Sequence, residues 1–374
     1  MKAFYWILIL GIVISSCTPE PSGKIIKPLK LSNDDFSVRV NRSILLSPDG
    51  KHLTDQVNGV DFYKGRIYVN DWGAITVDIY TEDGIHVKTI KKGKGPGELS
   101  SSCGIGFTET ELIVTDFPYF RFYSLDGEYR SQKKMPPMFF AYEMDGLPNG
   151  NYLTHGMSPD ISQKLDSDFL SNKLYYFHVL DSTLTKEVAP LVPLYGEYGG
   201  VESDKASSFY DDHYLIAEVF ENHILIFDGE AVIDRYTIDF GKLAFTKEDL
   251  IGGKWDYFPK IGDGTRMGHI DNLFETKDFI SFRYQSKGKE SRLLRHQIIY
   301  SKGKNKTANF SDLLASSGIP DLEMVECLER EFICLLEPGN YSPKQLDEFK
   351  KQGIIGPGVT IESNPVLISI EVKD

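Results

Sequence analysis

Short runs of alternating apolar and polar residues, rich in Val, Ile, Tyr, Phe and Thr, recur from residue 36 to the C-terminus, with Gly, Asp and Asn between them. A side-chain period of two is that of a strand with one buried face. The residues between the runs are those that accept turn geometry. Helical periodicity is confined to "TKEDLIGGKW" (246–255) and "SPKQLDEFKKQG" (342–353), both short. The chain therefore reads as all-β.

Two features alternate in fixed order along it. The first is a strand ending in a polar residue: "RIYVND" (66–71), "ELIVTD" (111–116), "NYLTH" (151–155), "HYLIAE" (213–218), "DFISFR" (278–283) and "EFICLLE" (331–337). The second is a strand running into a tight turn, as in "VDIYTEDGIHVKTI" (77–90) and "FRFYSLDGEYRSQ" (120–132). Asp-Gly suits such hairpins because both turn positions need positive φ. Six such units of about 40–65 residues predict a six-bladed β-propeller with four-stranded blades. The last unit supplies three strands, "EMVECLE", "EFICLLE" and "NPVLISIEVK" (364–373). The N-terminal run "FSVRVNRSILL" (36–46) is expected to provide the fourth and close the ring. Closure of this kind leaves no long sheet edge exposed.

The start of the chain adds an address. "MKAFYWILILGIVISSC" has one basic residue, Lys2, an apolar core from Ala3 to Ile14, and small residues before Cys17. This reads as a secretory signal over 1–16, with Cys17 becoming a lipidated mature N-terminus. The Pro- and Ser-containing stretch "TPEPSGK" (18–24) fits a tether, taken as 17–32, with the propeller over 33–374.

With these marks the sequence resembles the six-bladed propeller lipoproteins of Bacteroidetes, relatives of the NHL-repeat propellers. It carries the lipoprotein signal, "GRIYVND", "KGKGPGEL" and "NPVLISIEV" in that family's order. The resemblance spans the mature chain and departs over blades 4–6, where the spacing is long and "YSKGK" (300–304) stands in place of an Asp-Gly turn. It implies a propeller anchored by lipid in the cell envelope, at the outer membrane, with the periplasmic and surface-exposed sides both open. It implies no particular activity.

Charge and cysteines narrow the picture. Forty-one basic against 54 acidic residues give a formal charge of −13, which disfavours nucleic acid as a partner. Besides Cys17 only Cys103, Cys327 and Cys334 are present, too few for a disulfide framework. Cys327 and Cys334 could pair across a hairpin, but "VECLEREFICLLE" reads more simply as two strands with free, buried thiols.

Little catalytic chemistry is written in the motifs. "IKKGKGPGELSSS" (90–102) spaces Gly93, Gly95 and Gly97 as G-x-G-x-G, and Pro96 removes an N–H where a phosphate cradle needs one. It reads as the connection between blades 1 and 2, with Lys94 and Glu98 still able to face a ligand. The eight histidines have no H-x-x-x-H spacing and read as surface or turn residues, so no motif indicates Ca²⁺ or Zn²⁺ and the cofactor stays open.

The repeat register suggests one constellation. The polar residues closing the second strands, Asp71, Asp116, His155, Glu218, Arg283 and Glu337, are expected to ring the channel mouth, with Trp72 and Tyr119 beside them. The insertions 156–173, 195–207, 241–268 and 337–363 fall on that same face. Elaborated loops on a rigid scaffold are where binding tends to reside. The expected function is a monomeric binding or interaction module for a glycan, peptide or protein ligand. The other reading is a metal-dependent hydrolase or lyase, similar to sugar-acid lactonases, with His155 or His269 helping to hold a metal at the mouth.

Overall fold

The computed structural model describes residues 23–374, apart from 51, 53, 55, 102–103, 167–172, 195–204, 219–220, 247, 250–256 and 290–292. The alternating runs form six antiparallel sheets of four strands, ordered from the inner strand outward. Blade 1 comprises Val57–Tyr63, Arg66–Asp71, Thr76–Thr81 and His86–Ile90; blade 2 comprises Gly104–Phe107, Glu111–Asp116, Tyr119–Ser124 and Tyr129–Lys134. Blade 3 comprises Glu143–Gly146, Tyr152–Pro159, Leu174–Leu180 and Glu187–Pro193; blade 4 comprises Ser207–Tyr210, His213–Glu218, His223–Phe227 and Val232–Ile238. Blade 5 comprises Gly268–Glu275, Phe279–Lys287, Leu293–Ser301 and Lys306–Asn309. Blade 6 takes Glu323–Cys327, Glu331–Leu336 and Val366–Lys373 from the C-terminal region, and Ser37–Leu45 from the N-terminal region as its outer strand.

That closure is the one the strand count predicts. Ser37–Leu45 runs antiparallel to Val366–Lys373, from Ser37 opposite Lys373 to Leu45 opposite Val366. The core lies in the seams between sheets, because each blade buries both faces against its neighbours. Tyr68, Val77 and Ile79 of blade 1 pack on Leu112, Val114 and Tyr123 of blade 2. Ile44 and Leu367 of blade 6 pack on Val60, Ile67 and Tyr80 of blade 1 and so complete the ring.

The N-terminal segment does more than close blade 6. Within the stretch read as a tether, Lys24–Ile26 adds a fifth, parallel strand outside blade 4, with Ile26 fully buried. Leu31 then bridges Thr307 of blade 5. The chain thus wraps two blades before it enters the third. Cys17 and the stretch 1–16 read as a signal lie outside the described residues, as does Cys103.

The Asp-Gly turns differ from expectation in that positive φ is confined to the glycines: Gly84 and Gly127 have φ of 79° and 81°, whereas Asp83 and Asp126 keep negative φ. In blade 5 the corresponding turn runs from Ser301 to Lys306, and Asn305 adopts positive φ there. Among the described residues the ring is decorated by helices α1 (Tyr257–Asp263), α2 (Phe310–Ser316) and α3 (Pro343–Lys351). The expectation for 342–353 matches α3, whose N-cap Ser342 accepts from the Gln345 N–H while the Gln345 side chain accepts from the Ser342 N–H. The segment 246–255 lies largely outside the described residues. Helix α2 is too short for a periodic signal, yet it buries Phe310, Leu313 and Leu314.

The Gly/Pro stretch after blade 1 is a blade connection. The Gly93 N–H donates to the Leu99 carbonyl, and the Leu99 N–H to that of Lys91. The Glu98 carboxylate accepts from the Gly95 N–H at 2.7 Å, so it is engaged by its own loop. Gly97 has φ of 75° and lies where a Cβ would meet that of Tyr129 at 2.6 Å, which excludes a side chain there.

Candidate functional site

Inner strands of a propeller present alternate residues to the central channel, and three of them carry a carboxylate one or two positions before their end. These are Asp61 of blade 1, Asp145 of blade 3 and Glu326 of blade 6. Glu143 adds a fourth from blade 3. Lys205, in the segment entering blade 4, meets them: its Nζ donates to Asp61 at 3.1 Å and to Glu326 at 2.5 Å. Its backbone is fixed by the Leu273 N–H, which donates to the Lys205 carbonyl at 3.0 Å. Asp145 accepts from the Phe107 N–H at 3.0 Å, which holds that carboxylate against blade 2.

Negative charge crowded into a poorly hydrated channel raises carboxylate pKa values. Burial pushes Glu143 up to about 8, with Asp61 adding to the effect. Burial likewise raises Glu326 to about 7, against the pull of Lys205, and Asp145 to about 6, against the hydrogen bond from Phe107. The Lys205 ammonium is held well above the ordinary lysine range by Asp61 and Glu326, which outweigh its desolvation.

This network separates two cavities. On the side of the turns between first and second strands lies one of about 630 Å³. Tyr63, Phe107, Tyr152, Phe209 and Tyr214 wall it, above a floor of Asp61, Glu143, Asp145, Lys205 and Glu326. Two aromatic pairs are among its walls. Tyr63 stacks on Phe107 at 4.5 Å and 17°, and Phe209 lies 4.7 Å from Tyr214. The cavity on the opposite, loop-rich side is about 320 Å³ and includes Trp72, His155, Arg295 and Glu323 in its lining. A third hollow of about 650 Å³, between blades 2 and 3 at Phe117, Met135, Phe140 and Met157, is almost wholly apolar.

The residues expected at the channel mouth occupy varied places. Asp71, Asp116 and Glu218 do end their strands, whereas His155 and Arg283 lie inside strands that extend to Pro159 and Lys287. Glu337 lies one residue beyond its strand. The Asp71 carboxylate accepts from the Gln56 and Ala74 N–H groups at 3.2 and 2.9 Å, fixing the connections that flank it. Asp116 does the same with the Ser100 and Ser101 N–H groups at 3.0 and 2.6 Å and pairs with Arg121. Burial opposes ionisation of Asp116, but these donors hold its pKa below the usual range. The Arg121 guanidinium also lies over the Tyr119 ring.

Glu218 contacts His223 Nδ1 at 2.9 Å, Arg283 forks onto Asp271 at 2.8 and 2.9 Å, and Glu337 accepts from Asn340. Trp72 and His155 line the loop-side cavity; His155 is packed among Tyr142, Tyr176 and Phe177. Burial lowers its pKa to about 3.

The histidines differ from the surface reading. His155, His178 and His269 are buried. His178 Nδ1 meets Glu187 at 2.6 Å, and His269 Nδ1 meets Gln285 at 2.6 Å. Cys327 and Cys334 are free thiols, as expected; they lie opposite Phe332 and Met324 rather than each other, and Cys327 is only partly buried. The channel carboxylates lie on first strands, outside the second-strand register that marks Asp71, Asp116 and Glu218. Their signal is nonetheless in the sequence, as acids set into otherwise apolar inner strands in "VDF" (60–62), "YEMDG" (142–146) and "VEC" (325–327). Lys205 lies in an insertion and carries no repeat signal.

Fold and channel define a six-bladed β-propeller with a charged partition across its axis. The chain belongs to the DUF5128 family of six-bladed β-propellers, whose sequence profile matches residues 30–334. It is similar in structure to a protein of Bacteroides fragilis described as exported, with a TM-score of 0.68 and 15% identity, over 94% of this chain and 99% of that one. It is also similar to a member of the DUF4221 family from Bacteroides vulgatus, with a TM-score of 0.55 and 10% identity, over 92% of this chain and all of that one. Among curated proteins the sequence finds no match.

Proposed function

We propose that the protein is an extracytoplasmic binding module, anchored through lipid on Cys17, that takes an organic cation into the cavity on the hairpin side of its channel. The cation is an amine or guanidinium, on a small molecule or on a peptide side chain. One observation carries this reading: four carboxylates and a single ammonium form the floor beneath two aromatic pairs. Carboxylates in excess attract positive charge, and aromatic faces stabilise a cation that is losing water. The volume suits a small ligand, which typically occupies about 300–1,000 Å³. The signal-like N-terminus and the exported description of the similar Bacteroides fragilis protein support the location.

The expected glycan, peptide or protein ligand through the loop-rich face becomes, on this reading, a cationic group entering from the opposite side. The test is a thermal-shift comparison of agmatine, spermidine and arginine amide with neutral and acidic sugars. Binding raises the melting temperature by mass action. Stabilisation by the cations alone supports the proposal, and stabilisation by the sugars alone refutes it.

A further inference from the structure

A second site lies away from the channel, at the seam where the ring closes. Asp78, in the third strand of blade 1, is buried, and its carboxylate Oδ1 lies 3.0 Å from His52 Nε2 and 3.9 Å from His86 Nε2. His86 opens the outer strand of blade 1. His52 belongs to the segment that leaves the closing strand Ser37–Leu45 for blade 1. All three donor atoms lie within 4.8 Å of one another. The two imidazoles stack with centroids 4.1 Å apart at 14°. We propose that His52, Asp78 and His86 form a binding site for a divalent transition metal of the Zn²⁺ class, which staples the closing segment to blade 1.

Four observations support it. Two imidazole nitrogens and one carboxylate oxygen are a common Zn²⁺ donor set, with bonds of about 2.0–2.1 Å. Tetrahedral geometry at that radius puts donors about 3.3 Å apart, between the two separations to Asp78. Secondly, the Asp78 carboxylate is removed from water, and among the described residues its ion-pair partners are the two histidines. Buried negative charge is costly without a cation beside it, and a metal ion supplies one.

Thirdly, outer partners are in place. Thr76 donates to Asp78 Oδ2 at 3.1 Å and Thr89 donates to Oδ1 at 2.6 Å, while the Thr89 oxygen accepts from His86 Nε2–H at 2.9 Å, a contact that a bound ion would replace. Finally, the main chain at His52 is itself anchored: its carbonyl accepts from Asn364 Nδ2 at 2.6 Å, just before the third strand of blade 6. An ion held there bridges blade 1 and the segment arriving from blade 6.

The experiment is equilibrium dialysis of the mature chain against Zn²⁺ with metal analysis, alongside the visible spectrum of protein loaded with Co²⁺. One equivalent of tightly held metal is expected, with a tetrahedral Co²⁺ band and a raised melting temperature. His52→Ala and His86→Ala should each weaken binding by at least about tenfold and abolish the band, and Thr89→Val should weaken it less. Asp78→Asn, nearly identical in shape, carries the test if an alanine variant misfolds. Absence of stoichiometric metal in the wild type overturns the assignment, as does equal binding by the folded variants.

Discussion

Lys205 and Asp61 are 144 residues apart in sequence, yet the ammonium of one lies 3.1 Å from the carboxylate of the other. They come from blades 4 and 1, which stand opposite one another in a six-membered ring, so the ion pair spans the channel axis. Glu326 of blade 6 joins the same ammonium. Removing the cation leaves partly buried carboxylates without compensation, which is strongly destabilising. Lys205→Met should lower unfolding free energy by about 3 kcal/mol in urea titrations. Adding Asp61→Asn and Glu326→Gln should recover part of it. A loss below about 1 kcal/mol, the scale of an exposed pair, would show that the partition is not a structural element.

The crowded carboxylates give the stability a pH signature. Glu143, Glu326 and Asp145 bind protons more tightly folded than unfolded, because their folded pKa values of about 8, 7 and 6 lie above the ordinary 4.5, 4.5 and 3.8. Their contribution is present at acid pH and is lost as pH rises through 4–8. Glu143→Gln should therefore gain stability relative to the wild type between pH 5 and pH 8, as read by melting temperature at both pH values. An unchanged difference would mean that Glu143 titrates normally.

His155 has the opposite sign. Its folded pKa of about 3 lies below the ordinary 6.5, so the unfolded chain binds the extra proton as pH falls. Stability is lost below pH 6.5 at up to about 1.4 kcal/mol per unit, roughly 2 kcal/mol by pH 5. Phe, which suits the surrounding aromatic rings, removes that proton. His155→Phe should match or exceed the wild type at pH 7 and outperform it at pH 5. Parallel pH profiles for the two proteins would contradict the assignment.

Asp71 and Asp116 act through the backbone of the connections that meet them. Asp71→Ala leaves two N–H groups without their acceptor and should cost about 1–3 kcal/mol. Asp116→Ala also strands Arg121 and should cost at least as much. Cation binding in the hairpin-side cavity should be unchanged in Asp71→Ala and Glu218→Ala. A selective loss of binding by folded Asp71→Ala would restore the loop-side mouth as the site.

Blade number and blade size were legible because they rest on local signals that recur along the chain, alternation and turns, and the closing strand because the last unit supplies only three of its four strands. The parallel strand Lys24–Ile26 was not, since three residues carry no periodicity and Ile26 declares its burial only against blade 4. The site was legible in part. A polar strand end looks alike whether it caps a connection, as Asp71 does, or faces a ligand. Which inner-strand acids share one ammonium depends on ring closure, and a linear pattern does not encode who stands opposite whom. The same holds for His52 and His86, which have no ligand spacing and are brought together only when the closing segment crosses the outer hairpin of blade 1.

On the proposed reading, the acidic floor and aromatic walls of the hairpin-side cavity bind an organic cation. Isothermal titration with agmatine at pH 8 and pH 5.5 tests it most directly, using the wild type and the double variant Glu143→Gln, Asp145→Asn. Ionised floor carboxylates bind the cation, so affinity should fall from pH 8 to pH 5.5 as Glu143 and Asp145 protonate. One equivalent bound at pH 8 is expected, weakened by about tenfold or more in the double variant, where two charge-assisted contacts are lost. No binding at pH 8, or binding indifferent to both pH and the double substitution, would contradict it.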